Sequence, residues 1–219
     1  MASRMVNLHL PNHPTQLLLI RHGEVESRYH RIFGGSRIDM ELSPLGQRQA
    51  RALAAWIADW PLDRIVASPM QRVRQTLAPL ADQRRLQPQF DNDLREVDFG
   101  VWTGFAWDQI KERFGASAFD WLEIIEQGGI ADGETAAALM QRVGPALQRV
   151  IDGAAHQRVA LFCHGGIIRV MLARMLARPQ REMAHFNIEY GSLTVVELQP
   201  GKKHGVDIEL LNFCPPLVD

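Results

Sequence analysis

Cysteine is nearly missing from this chain. The two present among 219 residues, Cys163 and Cys214, offer no disulfide framework of the kind small secreted domains need, and their spacing fits no zinc motif. That scarcity points to a reducing compartment. Net charge is nearly missing as well. Lys and Arg number 24 against 25 Asp and Glu, a formal charge of -1, so no bulk field draws the protein to nucleic acid or to a membrane, and any anion has to be captured locally. Long apolar runs are wanting too: the opening "MASRMVNLHLPNHPTQ" has no continuous segment of the signal-peptide kind, and no later run approaches membrane-spanning length. The expectation is a cytoplasmic protein with neither a membrane nor a nucleic-acid partner. Oligomeric state is not encoded in any of these features. Length and an apolar content of 46% fit one globular domain over residues 1–219, and no internal repeat, linker or low-complexity tract interrupts it.

What is there is an alternation of strand and helix signals. "QLLLIRHG" is an unbroken aliphatic run ending in Gly, which suits a strand buried on both faces of a parallel sheet. "SPLGQRQARALAAWIADWP" predicts a helix with Ser43 as N-cap and Pro44 at the first helical position, stopped by Pro61. "RIVASP" repeats the strand signal; Ser68-Pro69 then caps the helix "MQRVRQTLA", which Pro79 kinks or ends. After a short extended piece at Gln89 and Phe90 comes "LREVDFGVWTG", followed by helical patterns over Ala106 to Phe114 and Phe119 to Gln127 that look like a cap over something. "DGETAAALMQRVGPALQRVI" opens a helix with acidic residues where the helix dipole favours them, with Gly144-Pro145 as a bend point. "RVALFCHGG" gives another strand, "IIRVMLARMLA" the helix behind it, and "SLTVVEL" and "VDIELLNF" closing strands around the turn-rich "QPGKKHG". This order predicts a three-layer α/β/α sandwich on a mostly parallel sheet, with a small helical cap at about residues 102–130.

Two strands end in His-Gly, at His22 and at His164. In open α/β sheets ligands bind outside the carboxyl ends of the strands, so two imidazoles far apart in sequence can converge there. Arg21 precedes His22, and Arg72 follows the strand "RIVASP". Arginine suits phosphate because its planar fork bonds two oxygens and keeps its charge. Taken singly, each of these residues has a plainer reading: a hydrogen-bonded strand-end histidine, a solvated helix arginine and, for Cys163, a small buried hydrophobe. Their coincidence is what marks a site. Gly34 and Gly35 in "SRYHRIFGGSRID" offer amides to a phosphate, and Arg28, Arg31 and Arg37 are either contacts to an anionic substrate or a solvated basic loop. Metal ligation by His22 and His164 is disfavoured, because Arg21 would repel a cation and no carboxylate or Cys set stands at ligand spacing.

In order and approximate spacing, "LLLIRHGEVES", "SPLGQRQA", "ASPMQRVRQT", "LREVDFGVWTG", "DGETAAALMQRV" and "FCHGG" resemble the phosphoglycerate-mutase-like branch of the histidine phosphatase superfamily, from roughly Leu17 to Leu198. The resemblance implies a phosphoglycerate-mutase-like fold and a nucleophile, His22, that becomes phosphohistidine. It implies that Arg21, Arg72 and His164 bind the phosphoryl group, with Gly23, Arg28, Gly35 and Gly165 beside it. Glu96 in "LREVDFG" looks like the family's proton donor to the leaving oxygen, unless it is a surface Glu paired with Arg95. A small phosphomonoester is then the substrate, with no metal and no cofactor. Elementary chemistry agrees: a neutral imidazole attacks phosphorus well, fixed cations stabilise the transferring group, and an alkoxide must be protonated as it leaves. Glu96 would need burial, for instance under Trp102, to hold its proton.

The pattern is not complete. Val25 stands where many relatives have Thr, Arg28 about where an Asn contacts phosphate, and Thr103 where a Glu is common. Glu96 and His164 lie only 68 positions apart, whereas cofactor-dependent mutases resemble this chain with a longer insertion there. The compact form looks like the phosphatase members, and "RHGEVESRYHRIFGGSRIDMELSPLG" with "EYGSLTVVEL" looks most like the α-ribazole-5'-phosphate phosphatases. The alternatives are a cofactor-dependent phosphoglycerate mutase and a non-catalytic phosphate-binding regulator. In the cap, Trp107, Phe114, Phe119, Trp121 and Leu122 either stack a planar ring of the substrate or bury themselves against the sheet.

Overall fold

The computed structural model describes residues 14–85, 87–199 and 205–217. The opening segment and most of the turn-rich "QPGKKHG" lie outside the described residues. Strand β1 (Thr15–Arg21) forms the middle of a six-stranded sheet with β2 (Arg64–Ala67), β3 (Gln89–Phe90), β4 (Arg158–Cys163), β5 (Leu193–Leu198) and β6 (Val206–Phe213), in the order β3-β2-β4-β1-β5-β6. The strands β3, β2, β4 and β1 run parallel, and β5 and β6 are antiparallel to their neighbours. The sheet is therefore mixed, parallel over the half that carries the His-Gly strand ends.

The aliphatic run of β1 serves two cores. Leu17 and Leu19 join one cluster, Leu18 and Ile20 the other, and Leu17 to Ile20 are all fully buried. Strand β4 divides the same way, with Val159 and Leu161 facing one side and Ala160 and Phe162 the other. Helices α1 (Pro44–Trp56) and α2 (Gln71–Arg84) cover one face, and α5 (Ala136–Asp152) and α6 (Gly165–Met175) the other. The cap helices α3 (Trp107–Phe114) and α4 (Trp121–Glu126) extend that second core. This is the α/β/α layering that an unbroken apolar strand requires.

Local signals act as expected in α1, where the Ser43 hydroxyl accepts a hydrogen bond from the Gly46 amide at 3.0 Å beside Pro44. The helix ends at Trp56, ahead of Pro61, and tighter turns through Ala58 and Trp60 finish it. Pro79 does not end α2, which continues to Arg84. Its ring sits on the half-exposed side of the helix, while Val73, Leu77 and Leu80 are buried on the other and hold both halves against one core. Likewise α5 runs on past an exposed Pro145 because Leu139, Val143, Leu147 and Val150 are buried on either side of it. Ser68-Pro69 does not cap α2, whose N-cap is Met70.

Register brings the two histidines together. Arg21 pairs with Cys163 across β1 and β4, the His22 amide donates to the Cys163 carbonyl at 3.1 Å, and the Ser68 amide donates to the Phe162 carbonyl at 2.9 Å. His22, His164 and Ser68 thus leave three adjacent strands at one level. The loop after β1 then passes over the start of α1 with no room for side chains: a Cβ on Gly46 would lie 2.0 Å from the Glu24 carbonyl oxygen, and one on Gly23 2.6 Å from that of Gly46. Gly46→Ala is expected to destabilise the fold by about 1–3 kcal/mol through this overpacking, measured by urea denaturation; a change below about 0.5 kcal/mol would show that the loop yields freely.

Candidate active site

His22 is 4% exposed and His164 fully buried, with ring centroids 5.2 Å apart in an edge-on arrangement. His22 Nδ1 donates to the carbonyl of Gly23 at 2.8 Å, which fixes the neutral tautomer and leaves the lone pair on Nε2. That Nε2 accepts from Arg72 Nε at 3.2 Å. His164 Nε2 is 2.8 Å from the Ser68 hydroxyl, and its buried Nδ1 makes no hydrogen bond within the protein. Burial, and then the charges of Arg72 and Arg21, hold His22 well below the usual imidazole pKa. His164 is lowered well below it too, by burial first and then by Arg72.

Arg72, in the first turn of α2 and 2% exposed, reaches His22 through its Nε; its remaining nitrogens donate to the carbonyls of Ile38 at 3.1 Å and Gly35 at 3.0 Å. Burial pushes its pKa down to about 10, which leaves it cationic at neutral pH. Arg21 donates to the Ile188 carbonyl at 2.6 Å and lies 3.8 Å over the ring of Tyr190. Arg169, one turn after Gly165 in α6, donates to the carbonyls of Gly165 at 3.2 Å and Phe186 at 3.0 Å. All three guanidiniums are anchored by carbonyl oxygens, and among the described residues no ion pair joins them to a carboxylate. A carbonyl orients a guanidinium without cancelling its charge. The Glu96 carboxylate faces this group, accepting from its own Val97 amide at 3.0 Å and from the Gly166 amide at 3.3 Å in the first turn of α6.

A cavity of about 430 Å³ is lined by Arg21, His22, Arg72, Glu96, Gly165 and Arg169, whereas the fully buried His164 is not among its lining residues. Its other walls include Phe33, Phe99, Trp107, Trp121, Tyr29 and Tyr190. The structure brings Arg21, His22, Arg72, Glu96 and Gly165 to one cavity and sets several of the other residues expected beside them elsewhere. Gly23 does not offer its amide to an anion, because that amide donates to the Thr76 hydroxyl at 2.9 Å. Gly35, at φ +52 and with no space for a Cβ against the Val97 carbonyl, holds Arg72 by its own carbonyl. Arg28 is exposed, paired with Glu26 at 2.6 Å and outside the cavity lining. Arg37 pairs with Asp98 at 2.7 Å, and of Arg28, Arg31 and Arg37 only Arg31 lines the cavity. Trp102 is packed in the core against Phe33 and Phe114, so the aromatics beside Glu96 in the cavity are Phe99, Trp107 and Trp121 instead. Phe114 and Leu122 serve the cap's own packing, and Phe119 is 67% exposed against Trp107.

Sequence reasoning missed Ser68, Arg169 and Tyr190. Arg169 was findable, since it stands four residues after Gly165 on one helix and so on the same face. Cys163 is buried and its thiol pKa pushed up by burial, as suits a packing residue. Among the described residues no group of three or more His, Cys, Asp or Glu is placed to hold a metal ion, and no helix is long and apolar enough to cross a membrane.

The sequence profile of the histidine phosphatase superfamily, branch 1, matches residues 17–210. The chain belongs to that family. Phosphoserine phosphatase 1 of Hydrogenobacter thermophilus is 26% identical over 203 residues, covering 91% of this chain and 93% of its own. The adenosylcobalamin/alpha-ribazole phosphatase of Escherichia coli is 25% identical over 187 residues, covering 84% of this chain and 90% of its own. Among solved structures, a mycobacterial glucosyl-3-phosphoglycerate phosphatase in complex with inorganic phosphate superposes with a TM-score of 0.80 at 25% identity, covering 92% of this chain and 98% of that one. The alpha-ribazole phosphatase of Shigella flexneri gives 0.77 at 23% identity over 93% and 99%, a likeness of fold.

The buried neutral histidines carry a signature in stability. Unfolded imidazoles take up protons near pH 6.5, whereas the folded ones, with lowered pKa values, do not; the unfolded state therefore binds more protons below that pH and stability falls as pH falls. The slope reaches about 1.4 kcal/mol per pH unit per histidine. Urea denaturation between pH 7.5 and 5 is expected to show a smaller loss in His164→Asn than in the parent protein, and an equal loss would contradict the buried neutral assignment.

Proposed function

We propose that this protein hydrolyses phosphomonoesters, without a metal ion, through a phosphohistidine formed on His22. The observation that carries the reading is the tautomer of His22: Nδ1–H is committed to the Gly23 carbonyl, so an unprotonated Nε2 stands among cations at the cavity floor. In the first step that lone pair attacks phosphorus, and the bond to the ester oxygen breaks. Arg21, Arg72 and His164 stabilise the charge spread over the equatorial oxygens. Glu96 gives its proton to the departing oxygen. In the second step Glu96, now a carboxylate, takes a proton from water as the water oxygen displaces His22 from phosphorus, releasing inorganic phosphate and restoring both groups.

The shape of the cavity favours a substrate whose leaving group carries a planar ring, such as α-ribazole 5'-phosphate. Trp107 and Trp121 from the cap and Phe33 and Phe99 from the loops line the same cavity as the charged residues, and such faces stack on flat rings. The names of the E. coli and S. flexneri relatives support this class, and that of the H. thermophilus relative a smaller phosphomonoester. Hydrolysis is favoured over a phosphoglycerate mutase or a regulator that only binds phosphate by the meeting of Arg21, His22, Arg72 and Glu96, the residues this reading uses, at one cavity. We take residues 1–219 as one domain with the segment at about 102–130 as its cap. Two unpaired thiols, Cys163 and Cys214, support a cytoplasmic location.

Phosphate release in excess EDTA from a panel of α-ribazole 5'-phosphate, nucleotides, phosphoserine, sugar phosphates and 3-phosphoglycerate tests the reading. Turnover is expected to persist in chelator and to fall about a thousand-fold or more in His22→Ala. Glu96→Gln is expected to slow alkyl esters by about 10²–10⁴ and p-nitrophenyl phosphate far less, because p-nitrophenolate leaves without a proton. Equal slowing of both substrates would remove Glu96 from the acid role, and release of no phosphate from any substrate would remove hydrolysis.

A further inference from the structure

The turn before β5 touches the phosphate end of the cavity in a way the hydrolytic mechanism leaves unused. Ile188 is buried and Tyr190 half-buried. The Ile188 carbonyl accepts from one end of the Arg21 guanidinium, and the Tyr190 ring covers its face with the Cζ atom 3.8 Å from the ring centroid. Arg21 Nε, buried, makes no hydrogen bond within the protein. The bare backbone of Gly165 passes so closely that an added Cβ would lie 3.3 Å from that Nε. The same Tyr190 ring stands 5.5 Å from the imidazole of His22.

The turn is itself tied down. The Gly191 amide donates to the His22 carbonyl at 2.9 Å and the Arg21 amide to the Ser192 carbonyl at 3.1 Å. Gly191 adopts φ +68, a conformation that swings the chain back toward β5. On the outer side the Glu189 amide donates to the side-chain carbonyl of Asn212 at 2.7 Å. Asn212 stands at φ +52 in β6, near the register shift between β5 and β6, and its own amide donates to the Thr194 hydroxyl at 3.1 Å. A chain of contacts therefore runs from the edge strand through the turn to the guanidinium.

We infer that Tyr190 is a positioning residue whose ring clamps Arg21 flat against Gly165, so that its free N–H groups face the phosphoryl oxygens, with Asn212 holding the turn that carries the ring. The inference rests on the proposed function for its meaning in turnover, while the geometry of the clamp stands apart from it. An arginine side chain loses much rotamer freedom when ordered, and an aromatic face orders it without competing for its N–H donors. Removing the face frees Arg21 from the orientation in which it meets an anion. The ring is what counts in this account; the hydroxyl has no part.

The test compares Tyr190→Leu, Tyr190→Phe and Asn212→Gly, the last keeping a residue suited to positive φ while deleting the acceptor. Two quantities are read without turnover: the affinity for inorganic phosphate, by calorimetry, and the Arg21 Nε–H resonance in proton–nitrogen NMR spectra, assigned with Arg21→Lys. Turnover is read beside them, so a failed clamp is distinguished from a failed hydrolytic mechanism. Tyr190→Leu is expected to weaken phosphate binding about ten-fold, within the range of a desolvated cation–π contact, with a matching fall in kcat/KM and loss of the ring-current shift at Arg21. Tyr190→Phe should stay within about two-fold of the parent and keep the shift, and Asn212→Gly should move both quantities in the direction of Tyr190→Leu. Unchanged phosphate affinity in Tyr190→Leu, or a Tyr190→Phe as impaired as Tyr190→Leu, would overturn the inference, and Tyr190→Phe and Asn212→Gly still decide it should Tyr190→Leu fail to fold.

Discussion

An imidazole kept uncharged by burial beside fixed cations is the constraint on which the rest of this structure depends. Burial alone opposes a proton on His22, and the neighbouring guanidiniums oppose it further. The same cations that deny His22 a proton attract a phosphate dianion. In the proposed mechanism nucleophile and binding site are thus produced by one charge arrangement. It survives folding because the arginines are steered by carbonyl groups of Ile188, Ile38, Gly35, Gly165 and Phe186. Five arginines outside this group, Arg28, Arg37, Arg142, Arg149 and Arg181, are each paired with a carboxylate instead.

Backbone anchoring explains why glycine recurs around the cavity. Gly35 can bend its carbonyl toward Arg72 only at positive φ and only with no Cβ against Val97. Gly166 lets the Glu96 carboxylate rest on its amide, since a Cβ there would stand 2.5 Å from Glu96 Oε1. Close approach of main chain to charged side chains is what these positions provide, and it gives the site rigidity that longer side chains would lose. The apolar β1 completes the arrangement by fixing His22 at the end of a strand buried on both faces.

Much of this was legible in the sequence, for physical reasons that differ from residue to residue. The unbroken run of β1 declared a doubly buried strand, and the rule that ligands gather at carboxyl strand ends brought His22, His164, Arg21 and Arg72 to one edge. What could not be read was how loops fold back. Arg28 finds its carboxylate only two residues away at Glu26, but nothing local distinguishes Arg31, which lines the cavity, from Arg37, whose partner Asp98 is near only in space. Tyr190 lies 169 residues from the arginine it covers, and only the antiparallel placement of β5 beside β1 brings them together. Pro79 misled as a possible helix end because tertiary burial on the opposite helix face outweighed a missing hydrogen bond, and α5 likewise continues past Pro145.

The central claim is that His22 carries the phosphoryl group between two displacements. Its most direct test is to mix the enzyme with substrate labelled at phosphorus, quench in alkali within the first turnovers and map the label by mass spectrometry. The account predicts a phosphoryl group that is stable to base and labile to acid on the peptide containing His22, and none in His22→Ala. Label on another residue, or turnover with no label on His22 at any quench time and with inversion of configuration at phosphorus, would contradict it.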